Sequence, residues 1–146
     1  MAHLEFHLDS ELPPDAVIAR LTDFSDRRPA LWPGLNPKEY RVYERGDTWA
    51  DVREGNGGPI WARERYDWSK PGNVTWTVQE SGFSRPGSFV SVDIRARDGG
   101  SRLHVTWDRQ GSNLIGRALV ALIALTRGAP VRGQLVAGLQ RIAERP

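Results

Sequence analysis

Apolar and polar residues alternate at the start of the chain. Leu4, Phe6 and Leu8 fall on one side and His3, Glu5 and His7 on the other, a period of two that predicts a strand with one apolar face. Pro13-Pro14-Asp15 then places prolines at a first helical turn, and Val17, Ile18 and Leu21 form the apolar stripe of a short helix ending near Asp23. Ser25 or Asp26 is placed to cap a second short helix, which Trp32-Pro33-Gly34 stops. Across residues 38–111, strand-like runs are separated by Gly46-Asp47, Gly55-Asn56-Gly57-Gly58-Pro59, Lys70-Pro71-Gly72-Asn73, Ser84-Arg85-Pro86-Gly87 and Asp98-Gly99-Gly100-Ser101. Six strands fit between these turns, an antiparallel meander rather than alternating strand and helix.

Residues 113–146 are helical in pattern. Leu114–Leu125 is nearly all apolar, interrupted by Gly116 and Arg117, and Gly128-Ala129-Pro130 breaks it. Twelve residues are too few to span a bilayer. The missing polar face points to burial or a cavity lid, with contact to a membrane surface as the alternative. After the break, Val131, Leu135, Leu139 and Ile142 recur opposite Arg132, Gln134, Arg141 and Glu144, which predicts a long amphipathic helix.

Directly opposed side chains on antiparallel strands share a face, so the turns indicate what lies inside. A two-residue turn at Gly99-Gly100 pairs Ala96 with Leu103, Ile94 with Val105, Val92 with Trp107 and Val90 with Arg109. The Pro71-Gly72 turn gives an inner row of Ile60, Ala62, Glu64, Tyr66, Trp68, Val74, Trp76, Val78 and Glu80. Glu64 and Glu80 thereby become diagonal neighbours, with Arg109 at the same end of the sheet. For residues 38–54 two registers stay open, one turning Tyr40, Val42, Trp49, Asp51 and Arg53 inward, the other Arg41, Tyr43, Ala50 and Val52.

These motifs resemble those of the START-like or SRPBCC superfamily, which includes polyketide cyclase/dehydrase-like proteins. The similarity rests on Leu4-Glu-Phe-His-Leu with Pro14-Asp-Ala-Val17, on the hairpin Arg65-Tyr-Asp-Trp68-Ser-Lys-Pro71-Gly72-Asn-Val74-Thr-Trp76, and on Gly99-Gly-Ser-Arg-Leu-His-Val-Thr-Trp107-Asp-Arg109. It implies an α+β helix-grip fold: a curved antiparallel sheet of six to seven strands wrapped around a long C-terminal helix, with two short helices after the first strand. Such a fold encloses a cavity for hydrophobic molecules. Family members range from carriers to cyclases, so the fold leaves the reaction open.

Composition narrows the chemistry. The 146 residues are expected to form one domain, spanning 1–146. The absence of cysteine excludes disulfide scaffolds and thiol nucleophiles and, with no basic-then-apolar start, fits a cytoplasmic protein. Eighteen of the twenty basic residues are arginines, but eighteen carboxylates leave a net charge of only +2, which argues against nucleic acid as a partner. His3 and His7 lie ~13 Å apart along a strand and cannot share a metal; His104 falls on the outer face among arginines. No motif asks for a metal or another cofactor.

The expected partner is a hydrophobic small molecule, lipid-, polyketide- or aromatic-like, held between sheet and C-terminal helix. Its candidate lining is Tyr66, Trp68, Trp76, Val78, Val92, Ile94, Val105, Trp107, Arg109, Leu135 and Leu139. Three of the six tryptophans fall on this inner surface. The alternative is a cyclase- or dehydratase-like enzyme using Glu64 or Glu80 as acid or base, since enclosure and mutual repulsion raise at least one carboxyl pKa. The same cluster also reads as a salt bridge to Arg109. A third class is a ligand-free interaction or stress-response module. The pattern specifies no oligomeric state and no transmembrane segment.

Overall fold

A computed structural model describes residues 2–143, with side chains as far as Leu139, so the predicted apolar Ile142 and polar Arg141 and Glu144 lie outside the described side chains. The chain runs β1 (Ala2–Ser10), α1 (Pro14–Leu21), α2 (Arg28–Leu31), β2 (Arg41–Arg45), β3 (Trp49–Gly57), β4 (Ile60–Asp67), β5 (Asn73–Ser81), β6 (Phe89–Arg97), β7 (Gly100–Arg109), α3 (Leu114–Leu125) and α4 (Ala129–Ala143). The seven strands form one antiparallel sheet in the order β1-β7-β6-β5-β4-β3-β2. Every neighbouring pair from β2 to β7 is a hairpin, and β1 closes the far edge against β7. The helix-grip architecture expected from the sequence is the one observed, and the predicted break at Gly128 divides the C-terminal helical region into two helices bent by 80°. Arg127 at φ 54° and Gly128 at φ 78° make that bend, a pair of left-handed residues that ends α3 and starts α4.

Alternation places the core as predicted on β1, where Phe6 and Leu8 are buried while His3, Glu5 and His7 are exposed. Neither Ser25 nor Asp26 caps α2, which begins at Arg28 with Arg27 before it and no side-chain cap. Ser25 Oγ instead accepts from the Arg27 amide. The β6–β7 turn is Asp98-Gly99, one residue earlier than predicted, with Gly99 at φ 79°. Ile94 therefore opposes Leu103, Val92 opposes Val105 and Val90 opposes Trp107. The slip is two residues along the partner strand, an even number, so every side chain keeps its predicted face.

At the other edge neither predicted register holds throughout. Ala50 and Val52 are fully buried, as in the second, but Val42 opposes Val52 and packs on the core with Tyr40, as in the first. A bulge between Val42 and Glu44 switches the face and leaves Tyr43 outside, under the guanidinium of Arg63.

The lid helix α3 is pinned at its start. Asn113 Oδ1 accepts from the Gly116 amide and its Nδ2 donates to the Gly82 carbonyl. Gly116 passes so close to the β5–β6 connection that a Cβ there would lie 1.8 Å from the Phe83 carbonyl oxygen. Because that obstacle is backbone, Gly116→Ala is expected to destabilise by about 2–3 kcal/mol, within the range for overpacking. Urea unfolding checks this, and an unchanged midpoint would contradict the close approach.

Candidate functional site

Strands β3 to β7 supply one wall of a cavity of about 290 Å³, and residues of α1, α2, α3 and α4 line the other side. The volume is near the lower end of small-molecule pockets. Of the predicted lining, Tyr66, Trp76, Trp107, Arg109 and Leu135 reach the cavity, as does Glu64. Val92, Ile94, Val105 and Leu139 are core residues away from it, Val78 is buried opposite Glu64 without lining it, and Trp68 packs beside Phe24 at 6.0 Å between rings. Those six do not line the cavity, because sheet facing fixes only which layer a side chain enters, and most of that layer is solid core.

Glu80 does not reach the cavity either. Glu64 opposes Val78 and Tyr66 opposes Trp76 as predicted, but a bulge then pairs Arg63 with Glu80 and Ala62 with Ser81. The one-residue shift turns Glu80 to the outer face, where its side chain is 66% exposed and sits 3.8 Å from Arg63. The predicted pair of carboxylates does not form.

A different carboxylate takes that place. Glu54 continues the inward row Ala50, Val52 on β3, a period-two signal that the second register already carried. Its Oε2 accepts from Arg28 Nε at 2.8 Å, and its Oε1 accepts a short hydrogen bond from the Tyr66 hydroxyl. Arg28, at the start of α2, donates in addition from Nη1 to the carbonyls of Leu21 and Asp23, 3.0 Å each, and from Nη2 to the Tyr66 oxygen at 3.4 Å. Four of its five N–H groups are thus used. Its guanidinium also lies 4.4 Å from the Phe24 ring centre. Burial and the Glu54 carboxylate push the Tyr66 phenol well above its ordinary range, so it stays protonated as a donor.

The second ion pair is looser. Arg109 Nη2 donates to Glu64 Oε2 at 3.2 Å, and Nη1 reaches Ser84 Oγ at 3.5 Å. Glu64 is buried, with its side chain 7% exposed, and Arg109 is partly buried at 12%. Burial pushes the Glu64 carboxyl above the usual glutamate range; Arg109 opposes the shift and Glu54 adds to it. The Arg28, Glu54 and Tyr66 cluster is bonded mostly within itself and to α1, whereas Glu64 keeps hydrogen-bonding capacity facing the cavity.

Trp32, where α2 ends, and Trp61 join Trp76 and Trp107 in the lining, whereas Trp68 does not. The Cε3–Cζ3 edge of the Trp32 ring lies against Gly138, where an added Cβ would come within 2.2 Å. Nε1, on the opposite edge, is buried with no hydrogen-bond partner among the described residues. A buried N–H left unpaired is uncommon in a folded protein and invites an acceptor. Sequence reading treated Trp32 as a helix stop, and nothing local marked it as cavity-facing. His104 lies on the outer face as expected, stacked on His7 at 4.6 Å and bonded to Glu5 at 2.9 Å.

No family model matches the chain, and no curated protein matches it by sequence. Solved structures do match by shape. The ZhuI aromatase/cyclase from Streptomyces sp. R1128 superposes with a TM-score of 0.77 at 16% identity, over 99% of this chain and 94% of that one. A START superfamily protein from Mycobacterium smegmatis gives 0.70 at 11%, over 99% of both chains. Norcoclaurine synthase from Thalictrum flavum, in complex with dopamine and hydroxybenzaldehyde, gives 0.71 at 11%, over 99% of this chain and 88% of that one. At such identities the likeness establishes the fold.

Proposed function

We propose that this chain, built on the START-like helix-grip fold, holds a hydrophobic, ring-containing small molecule bearing a carbonyl or similar acceptor oxygen. The observation that carries the proposal is a mostly apolar cavity lined by Trp32, whose buried Nε1 has no hydrogen-bond partner among the described residues. Trp76 and Trp107 offer flat apolar surface, and Trp76 already stacks on Tyr66 at 5.2 Å. The fold neighbours support a small-molecule role in general: one is an aromatase/cyclase, another a synthase seen with two aromatic molecules.

Trp32, a protonated Glu64 and the incompletely bonded Arg109 are donors that an acceptor oxygen would meet. Tryptophan fluorescence titrated with 2-acetylnaphthalene and with 2-ethylnaphthalene tests this, because the two share a ring system and differ in the carbonyl. The ketone is expected to bind about five- to tenfold tighter, the worth of one net hydrogen bond, and Trp32→Phe should reduce that preference. Equal affinities, or no binding of either, would overturn the proposal. The Glu64 contribution has a definite sign with pH. Its raised pKa leaves the carboxyl protonated below that value, so ketone affinity should fall as pH rises through it. Glu64→Gln, which keeps a donor at all pH values, should flatten the profile.

A second role, acid catalysis of a cyclase- or dehydratase-like step, is favoured by one observation: a cavity carboxyl with a raised pKa beside a guanidinium. Glu64 would give its proton to a carbonyl oxygen as a new carbon–carbon or carbon–oxygen bond forms, with Arg109 compensating the carboxylate left behind. Unchanged turnover of a substrate by Glu64→Gln would exclude it.

A further inference from the structure

We infer that the outer face of α3 docks onto an anionic lipid bilayer. The helix has two apolar sides with different surroundings. Leu119 and Ile123 line the cavity and Val120 is buried in the core. On the other side, Leu114 and Leu125 are 82% and 83% exposed, and Leu122 and Ile115 are 55% and 51% exposed. Leu114, Ala118, Leu122 and Leu125 recur at spacings of four, four and three, so the exposed groups form one stripe along the helix rather than scattered positions. A contiguous apolar stripe of this kind in water marks a contact surface.

Charge identifies the partner. Residues 1–110 hold 15 basic and 17 acidic side chains, whereas residues 111–146 hold five arginines and one glutamate. The small net charge of the chain therefore conceals a cationic helical end on a slightly anionic sheet. The sheet's Arg53, Arg63, Arg97 and Arg102 sit beside carboxylates. Arg117 and Arg127 are exposed around the stripe, and neither makes an ion pair among the described residues. Arg132, at the start of α4, lies over the Phe6 ring at 5.0 Å without a carboxylate partner among those residues. A two-fold dimer through this face would bring like charges together across the contact. An anionic membrane surface instead accepts the leucines into its boundary region and the arginines among its headgroups. No single helix among the described residues is long and apolar enough to cross a membrane, and in the bent pair α3–α4 both helices turn apolar residues into the core or cavity, so the proposed contact is one of lying on the surface.

The test is co-sedimentation of the full chain with vesicles of phosphatidylcholine containing 30% phosphatidylglycerol, and with pure phosphatidylcholine vesicles, in low and high salt. Binding is expected to the anionic vesicles, to weaken with salt, and to fall about fivefold for each of Arg117→Gln and Arg127→Gln. Leu114→Glu with Leu125→Glu should reduce it about tenfold or more while leaving the unfolding midpoint unchanged, both side chains being in solvent. A blue shift of the added fluorophore in Leu125→Trp on vesicles would place that residue in the lipid boundary. Absence of binding at low salt, or equal binding by the double leucine variant, overturns the inference. So does a stable dimer that the double leucine variant dissociates, which would assign the face to a second copy.

Discussion

Arg28→Ala is expected to destabilise the protein by about 3–5 kcal/mol, the usual consequence of removing one partner from a buried ion pair. The guanidinium side chain is 5% exposed, and its loss leaves the partly buried Glu54 carboxylate without its cation. It also strips the carbonyls of Leu21 and Asp23, at the end of α1, of a shared donor. Arg28→Lys should recover only part of the loss, since an ammonium cannot present the planar fork that meets Glu54, two carbonyls and Tyr66 together. Removing both charges, Arg28→Met with Glu54→Gln, should cost much less than Arg28→Ala alone, because no unpaired charge then remains. Urea unfolding of the four proteins measures the difference. If the double variant were as unstable as Arg28→Ala, packing rather than charge would be what Arg28 supplies.

Removing the second cavity cation has an effect that depends on pH. In Arg109→Met the Glu64 carboxyl loses the neighbour that holds its pKa down, and its pKa rises further above the ordinary range. A carboxyl whose folded pKa exceeds its unfolded value favours folding below the unfolded pKa and loses that contribution as pH rises through the folded one. The variant should therefore lose about 3 kcal/mol at neutral pH, at the lower end of the buried-pair range, and progressively less as the pH is lowered through the raised pKa of Glu64. Glu64→Gln in the same background should remove the pH dependence. Unfolding midpoints across this range check the slope, and a loss independent of pH would show that Glu64 is not the titrating group.

These effects differ because the two ion pairs differ in how completely they are bonded. Arg28 uses four of its five N–H groups on Glu54, Tyr66 and two carbonyls. Arg109 makes one longer contact with Glu64 and one marginal contact with Ser84. The first pair holds α2 against the sheet; the second leaves Glu64 able to answer a ligand. Trp32 completes the polar complement of the cavity with a donor that no described residue accepts.

Much of this architecture is legible in the residues. Period-two runs and Gly- and Pro-rich turns are local, and they account for β1, the six-stranded meander and the break at Gly128. Facing survived even where register did not, because the β6–β7 slip of two residues preserves alternation. Glu64, Tyr66, Trp76 and Trp107 were placed inside for that reason, and the cavity contains them. Glu80 was misplaced by a single extra residue in β5, and the two registers of β2 were each half right because of a bulge beside Tyr43. A bulge has no strong composition signal, yet it inverts every side chain beyond it.

What sequence could not supply is proximity between distant segments. Arg28 and Glu54 are 26 positions apart, and Arg109 and Glu64 are 45 apart. Their pairing depends on how far the sheet curves over α2 and on which inward residues meet a helix rather than open space. Local pattern sets the face a side chain occupies, since backbone geometry repeats every two residues in a strand. Whether that face is solid core or cavity is a balance of packing among seven strands and four helices, and only the assembled tertiary structure resolves it.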